Sequence, residues 1–207
     1  MTFTCSELLE KHPQAWQQAT VHPFLAGCKS GTIQDSQFDT WLVQDYLFVI
    51  EFTRFVARVL ANAPADNFEI ILGGLSALKA ELNWFQTQAK ERKLTLETDK
   101  QPTCQEYCEY LEELADKSYP VQATAFWAIE LAYNQAWQLP GKMSPAYQEF
   151  SDRWGNPDFT EYVQFLEKQA DRALFTAKPS EQQQAQVAFL QIAHLEKDFW
   201  QMAFNAS

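Results

Sequence analysis

A long stretch with helical periodicity constrains the fold of this chain more than any other part of its sequence. Residues 35–62 read DSQFDTWLVQDYLFVIEFTRFVARVLAN. Bulky apolar residues recur there at the three-and-four spacing of one helix face, namely at Phe38, Trp41, Leu42, Phe48, Val49, Phe52, Phe55, Val56 and Val59. The pattern predicts one amphipathic α-helix whose apolar face is covered by other parts of the chain.

An acidic residue, Asp45, lies in the middle of this apolar face. Burying an ionised carboxylate is unfavourable unless a partner, a ligand or a shifted pKa compensates for the lost hydration. We interpret the position of Asp45 as a sign of a functional site. The alternative is a structural carboxylate that caps or pairs with a core group.

The rest of the chain also favours helices. Its residues are 46% hydrophobic and 14% aromatic, and only 6 are glycine, which suits long helices around an aromatic interior. The expected fold class is all-α, in one domain over residues 1–207. The further predicted elements are helices at Ser6–Thr20, from Pro23, at Ala65–Arg92, from Thr103 to Lys117, after Tyr119-Pro120, at Asp158–Lys178 and from Ser180, with an irregular segment at 143–159.

Two more acids, Glu130 and Glu196, repeat the pattern of Asp45, since each is centred among aromatic residues at helical spacing. If the three faces share one core, the three carboxyls converge. Apolar walls would raise some of their pKa values and give one protonated and one ionised group at neutral pH. That is the pairing which general acid and general base catalysis requires.

A further acid, Glu81, lies at the edge of the apolar stripe of its helix rather than at the centre. We therefore predict that it forms an inward salt bridge, for example with Arg54.

The histidines and cysteines do not suggest a metal site or another cofactor. A di-iron helical bundle needs a Glu-x-x-His pair from each of two helices. None of the histidines, His12, His22 and His194, follows a Glu by three positions. His12 and His22, each followed by a proline, are predicted to be helix-end residues, and the four cysteines to be buried, reduced thiols.

The charge of the chain limits its partners. A net charge of −11 and a pI near 4.7 argue against binding to nucleic acid or to an anionic bilayer. The first residues lack the pattern of a signal peptide, and no stretch is long and apolar enough to span a membrane. We predict a cytoplasmic protein that acts on a small molecule.

Five segments of the chain resemble a known family. They are HPFLAGCKSG, TWLVQDYLFVIEFTRFVARVLANAP, AIELAYNQAW, RWGNPDFTEYV and HLEKDFWQMAF. In order and spacing they are similar to the TenA family, also called thiaminase II or aminopyrimidine aminohydrolase. The resemblance implies a haem-oxygenase-like helical fold and salvage of the pyrimidine half of thiamin. It also implies a homo-oligomer, a dimer or a tetramer, because members of the family usually self-associate.

The resemblance also assigns roles to individual residues. Asp45 matches the family Asp that hydrogen-bonds the aminopyrimidine, and Glu196 matches the C-terminal Glu that handles protons at the scissile bond. Phe48 falls where the family stacks an aromatic ring on the substrate. Trp154 stands where most members have a Tyr, and Tyr133 resembles the helix Tyr near the nucleophile.

The chain departs from the family pattern at the nucleophile. Most members carry a catalytic Cys in the helix that corresponds to residues 124–138, where this chain has none and carries Glu130 instead. It resembles the cysteine-lacking, glutamate-bearing branch, and the missing thiolate argues against cleavage of thiamin itself. The expected function is hydrolysis of aminomethylpyrimidine or of its N-formyl derivative by carboxylates. The alternatives are a non-catalytic pyrimidine-binding or regulatory protein, and a different small-molecule enzyme on the same scaffold.

Overall fold

Helices account for all the regular secondary structure in the computed structural model, which describes residues 3–207. The all-α prediction is therefore confirmed. Met1 and Thr2, which belong to the predicted domain 1–207, lie outside the described residues. The assignment of the whole chain to one domain stays a prediction.

The described residues form ten α-helices, with a single 3-10 turn at Ala65–Asn67 before the fifth. Their bounds in chain order are α1 Cys5–Lys11, α2 Pro13–Thr20, α3 Pro23–Ser30, α4 Asp35–Asn62, α5 Phe68–Arg92, α6 Pro102–Ala115, α7 Tyr119–Gln138, α8 Gln148–Trp154, α9 Pro157–Thr176 and α10 Pro179–Phe204.

The long helix α4 has the bounds that its periodicity predicts, Asp35–Asn62, and its apolar face is buried. The residue that caps its start is Gln34 rather than Asp35 or Ser36. The backbone N–H of Gln34 donates a hydrogen bond to the side-chain oxygen of Gln37, at 3.0 Å. This bond holds the first turn together from within the helix.

The first predicted helix is two helices in the structure. Pro13 has no N–H to donate and restricts the residue before it, so the helix cannot continue through His12. The N–H of His12 closes α1 on the carbonyl of Leu8 at 3.1 Å, and Pro13 opens α2 at its first turn.

The buried centre of the molecule is α7 rather than α4. Its residues from Val121 to Trp137 are almost all buried, and α2, α4, α6, α8, α9 and α10 pack around it. A charged side chain on such a helix has little access to solvent in any direction. Glu130, which lies in the middle of α7, is accordingly only 8% exposed.

A short helix, α8, replaces much of the segment that we expected to be irregular. It is tied to α7 by two hydrogen bonds: the Ser151 hydroxyl donates to the carbonyl of Trp137 at 2.9 Å, and the Asn134 amide donates to that of Trp154 at 2.7 Å. The next residue, Gly155, packs closely against backbone atoms of α7 and α8. A Cβ added to it would lie 2.8 Å from the carbonyl oxygen of Ser151. These contacts fix the position of Trp154.

We expect Gly155→Ala to lower the free energy of unfolding by about 1–3 kcal/mol, because backbone atoms of α7 and α8 cannot move aside as a side chain would. Gly73→Ala is the matched control, since its Cβ would meet no atom within 4 Å. In mid-helix that change is expected to stabilise the protein by roughly 0.5–1 kcal/mol. Urea unfolding of both variants measures the difference. Equal stabilities would contradict the close approach at Gly155.

Candidate functional site

The predicted site residues meet at a cavity between the helices, which we call the inner cavity. The side chains that line it come from α4, α5, α7, α8 and α9; they are Asp45, Phe48, Val49, Phe52, Leu78, Glu81, Ile129, Glu130, Tyr133, Trp154 and Phe159. Five of the six residues singled out from the sequence are among them, and Glu196 is buried close by.

Asp45 is 2% exposed and accepts a hydrogen bond from the hydroxyl of Tyr133. Burial raises the pKa of Asp45 well above its ordinary value, while the bond from Tyr133 lowers it. A carboxyl in its neutral form offers one O–H donor and free acceptor sites. Such a group can donate one hydrogen bond to a ligand in the cavity and accept another from it.

Glu196 comes from α10 and is held by Tyr107 of α6, whose hydroxyl donates to its Oε1 at 2.6 Å. Burial raises the pKa of Glu196 to about 7, and the bond from Tyr107 acts in the opposite direction. Its charge contributes to the raised pKa values of both Asp45 and Glu130, after the larger effect of their burial. Glu196 therefore belongs electrostatically to the group of acids at the inner cavity.

The pKa of Glu130 is raised further than that of Glu196. Burial raises its pKa to about 8, and the neighbouring charge of Glu81 adds to the effect. The Tyr162 hydroxyl, 3.4 Å from the Glu130 Oε1, lowers the pKa. The pKa values of Glu130 and Glu196 are thus both raised towards neutral pH, where a carboxyl can serve as a proton donor or as a proton acceptor.

Glu81 is a candidate site residue that its position in the sequence pattern did not indicate. The predicted salt bridge with Arg54 was wrong, because Arg54 pairs with Glu51 on the outside of α4 at 2.7 Å. Glu81 instead lines the inner cavity, where burial raises its pKa to about 7 against the effects of Trp154 and Arg153. Three acids thus line the cavity, and Glu196, which is buried close by, is a fourth acid with a raised pKa.

A second, more open space adjoins the inner cavity, and we call it the outer groove. It shares Leu78, Glu81, Glu130 and Phe159 with the inner cavity. These four residues form the boundary between the two spaces. Two of the four acids thus face both the enclosed cavity and a region open to solvent.

Aromatic rings form much of the wall of the inner cavity. The ring of Phe48 lies against that of Tyr107, with centroids 4.5 Å apart. The rings of Tyr133 and Trp154 meet edge to face, with centroids 5.0 Å apart. Because these rings support one another, Phe48 and Trp154 are rigid surfaces on which a flat heterocycle can stack.

Two of the tyrosines that hold the acids, Tyr107 and Tyr162, were also missed as site residues. Tyr107 lies on the buried stripe of α6 with Cys104, Leu111 and Leu114. That three-and-four spacing is visible in the sequence, and could have identified the inward face of α6. Tyr162 also lies at helical spacing with the apolar residues of α9, but this spacing gives no indication of its acidic partner.

No group of three or more potential metal ligands is present in the part of the chain that the structure describes. His22 starts α3, where its Nδ1 accepts from the backbone N–H of Phe24 at 3.2 Å, and His12 ends α1, as expected of helix-end residues. All four cysteines are free and buried, as predicted. Among residues 3–207, no helix has both the length and the hydrophobicity needed to cross a bilayer.

Comparison with known proteins gives consistent results. A model of the TENA/THI-4/PQQC family matches residues 9–206. The chain is similar to a probable bifunctional TENA-E protein from Glycine max, with 38% identity over 94% of this chain and 90% of the relative. It is also similar to an aminopyrimidine aminohydrolase from Halalkalibacterium halodurans, with 25% identity over 99% of this chain and 96% of the relative.

Among solved structures, the chain is similar to a TenA homologue from Pyrococcus furiosus, with a TM-score of 0.91 and 30% identity. The match covers 96% of this chain and 98% of that one. This likeness confirms the haem-oxygenase-like helical fold that the sequence resemblance implied.

Proposed function

Because the chain belongs to the TENA/THI-4/PQQC family, we propose that it is a hydrolase that salvages pyrimidine breakdown products of thiamin. Its relatives include aminopyrimidine aminohydrolases, and the chain is an aminohydrolase-like enzyme with thiamin-related hydrolase activity. The proposed substrates are 4-amino-5-aminomethyl-2-methylpyrimidine and its N-formyl derivative, which are converted towards the hydroxymethylpyrimidine. The observation that supports this most is that Asp45 and Glu130 line one cavity, and that Glu196 is buried close enough for its charge to raise the pKa of both.

Asp45 would hold the pyrimidine in this proposal. Its carboxyl would pair with the ring nitrogen and the exocyclic amino group, while Tyr133 fixes its orientation. Phe48 and Trp154 would stack on the ring. Binding of this kind places the aminomethyl substituent in a defined position relative to the other acids.

Glu130 and Glu196 would divide the two proton transfers between them. Hydrolysis of the aminomethyl C–N bond adds a hydroxyl group to carbon and a proton to nitrogen, and releases ammonia. One ionised carboxyl would take a proton from water, and one protonated carboxyl would give a proton to the departing nitrogen. Their pKa values of about 8 and about 7 permit this division at neutral pH. Cleavage of thiamin itself is not proposed, because α7 carries no cysteine.

The direct test is to incubate the pure protein with each of the two compounds and to follow ammonia, formate and the hydroxymethyl product. We expect turnover of at least one compound. A protein that turns over neither is not an enzyme for these substrates.

Calorimetry addresses the alternative of a non-catalytic pyrimidine-binding protein, which the missing cysteine favours. Tight binding without turnover, unchanged in Glu196→Gln, would support that alternative. Asp45→Ala, which removes the proposed ring contact, is the control for loss of binding. The homo-oligomeric state, the absence of nucleic-acid partners and the cytoplasmic location stay predictions from the sequence.

A further inference from the structure

A glycine of α5 faces a tyrosine of α9 at the outer groove. A Cβ added to Gly74 would lie 2.4 Å from the hydroxyl oxygen of Tyr162 and 3.2 Å from its Cζ. Real Cβ atoms do not approach so closely, so any larger residue at this position would displace the tyrosine ring. The neighbouring position 73 has room for a side chain, because a Cβ added to Gly73 would meet nothing within 4 Å. The absence of a side chain at Gly74 is what lets the Tyr162 hydroxyl occupy its place.

The same hydroxyl contacts the acid at the boundary between the two spaces. It lies 3.4 Å from the Oε1 of Glu130, and Tyr162 itself lines the outer groove. Tyr162 thus stands between the bare backbone of α5 and the Glu130 carboxyl of α7. A displacement of its ring by a side chain at residue 74 would be transmitted to Glu130.

We propose that Tyr162 is the positioning residue of Glu130: seated against Gly74, its hydroxyl orients the carboxyl for proton exchange at the inner cavity. This inference rests on the proposed function, in which Glu130 transfers a proton to or from the reacting atoms. Neither Tyr162 nor Gly74 was assigned a role by the sequence resemblance.

Tyr162 shifts the pKa of Glu130 in the opposite direction to the acidic groups around it. Glu81 from α5 and Glu196 from α10 face it with like charges and raise its pKa in addition to the larger effect of burial. Tyr162 from α9 opposes them, because a hydrogen bond donated to a carboxylate favours the ionised form. Of the other charged groups nearby, Asp45 lines the inner cavity, and Arg153 and Asp158 line the outer groove.

A double-mutant cycle tests the inference, with Tyr162→Phe, Gly74→Ala and both changes together. Tyr162→Phe is expected to lower kcat/KM by about tenfold to a hundredfold, the range for loss of a hydrogen bond to an ionised group. The limb of the pH profile that Glu130 controls should move to higher pH, whether Glu130 acts as acid or as base. Gly74→Ala should show the same loss and the same shift.

In the Tyr162→Phe background, Gly74→Ala should have little further effect, since the clashing hydroxyl has gone. Gly73→Ala is the matched control and should leave both kcat/KM and the pH profile unchanged. Circular dichroism and thermal unfolding of each variant separate a loss of function from a loss of fold.

Losses that multiply in the double variant would overturn the inference, because Gly74 would then act independently of Tyr162. An unshifted pH limb in Tyr162→Phe would overturn it as well. If Glu130→Gln is inactive while Tyr162→Phe is fully active, the inference fails and the proposed function stands. If the wild type turns over neither compound, NMR titration of the Glu130 carboxyl gives the same readout, with a higher pKa expected in Tyr162→Phe and in Gly74→Ala.

Discussion

Glu196→Gln is expected to lower kcat for the aminopyrimidine substrate by about 10² to 10⁴, the usual contribution of a general acid or base. Gln has nearly the shape of Glu, and its carbonyl oxygen can still accept the hydrogen bond from Tyr107. It cannot exchange a proton in the pH range of the reaction. The variant should therefore keep its affinity for the pyrimidine, measured by calorimetry, while steady-state kinetics show the loss in kcat.

Glu109→Gln is the control for this change, because Glu109 is an exposed acid on α6, the helix that also carries Tyr107. It should behave as the wild type does. Glu130→Gln should give a loss of the same order as Glu196→Gln, and the double variant should lose much less than the product of the two single losses, since the acids act as a unit. A Glu196→Gln variant that retains most of the wild-type kcat would exclude Glu196 from the proton transfers.

The part of the site that could be predicted from the sequence is the part carried by long, one-sided helices. The helix α4 has one apolar face over its whole length, so the position of Asp45 on that face indicated both its burial and its direction. A helix that is buried on all sides shows no difference between an apolar and a polar face, so its sequence does not indicate where a side chain points. On α7 the pattern indicated that Glu130 is buried, but the other walls of the cavity it faces come from α4, α5, α8 and α9.

The site residues that helical periodicity alone does not reveal depend on contacts between segments of the chain. Trp154 ends a seven-residue helix, too short for a clear periodicity, and its position follows from the close approach of Gly155 to α7. Glu81 lies at the edge of its stripe, where spacing alone cannot distinguish an ion pair from the wall of a cavity. Its salt-bridge partner was wrongly predicted for that reason.

The buried acids also determine how the stability of the protein depends on pH. Burial raises the pKa of Glu130 from an ordinary value of 4.5 to about 8. Below pH 4.5 the carboxyl is protonated in both the folded and the unfolded state, and stability is unaffected. Between pH 4.5 and 8 the unfolded state releases the proton and the folded state retains it, so the free energy of unfolding falls as the pH rises. Above pH 8 the full loss remains.

Removal of this carboxyl should therefore stabilise the protein, and only at the higher pH. We expect Glu130→Gln and the wild type to have similar free energies of unfolding near pH 4.5. At pH 8.5 the variant should be more stable by up to about 5 kcal/mol, since each unit of pKa difference corresponds to about 1.4 kcal/mol. Urea unfolding at several pH values measures this, with Glu109→Gln expected to follow the wild type. A stability difference that does not change with pH would show that Glu130 is not held protonated by the fold. A gain in stability combined with a loss of kcat would show that the carboxyl is kept in the core for its chemistry and at the expense of the fold.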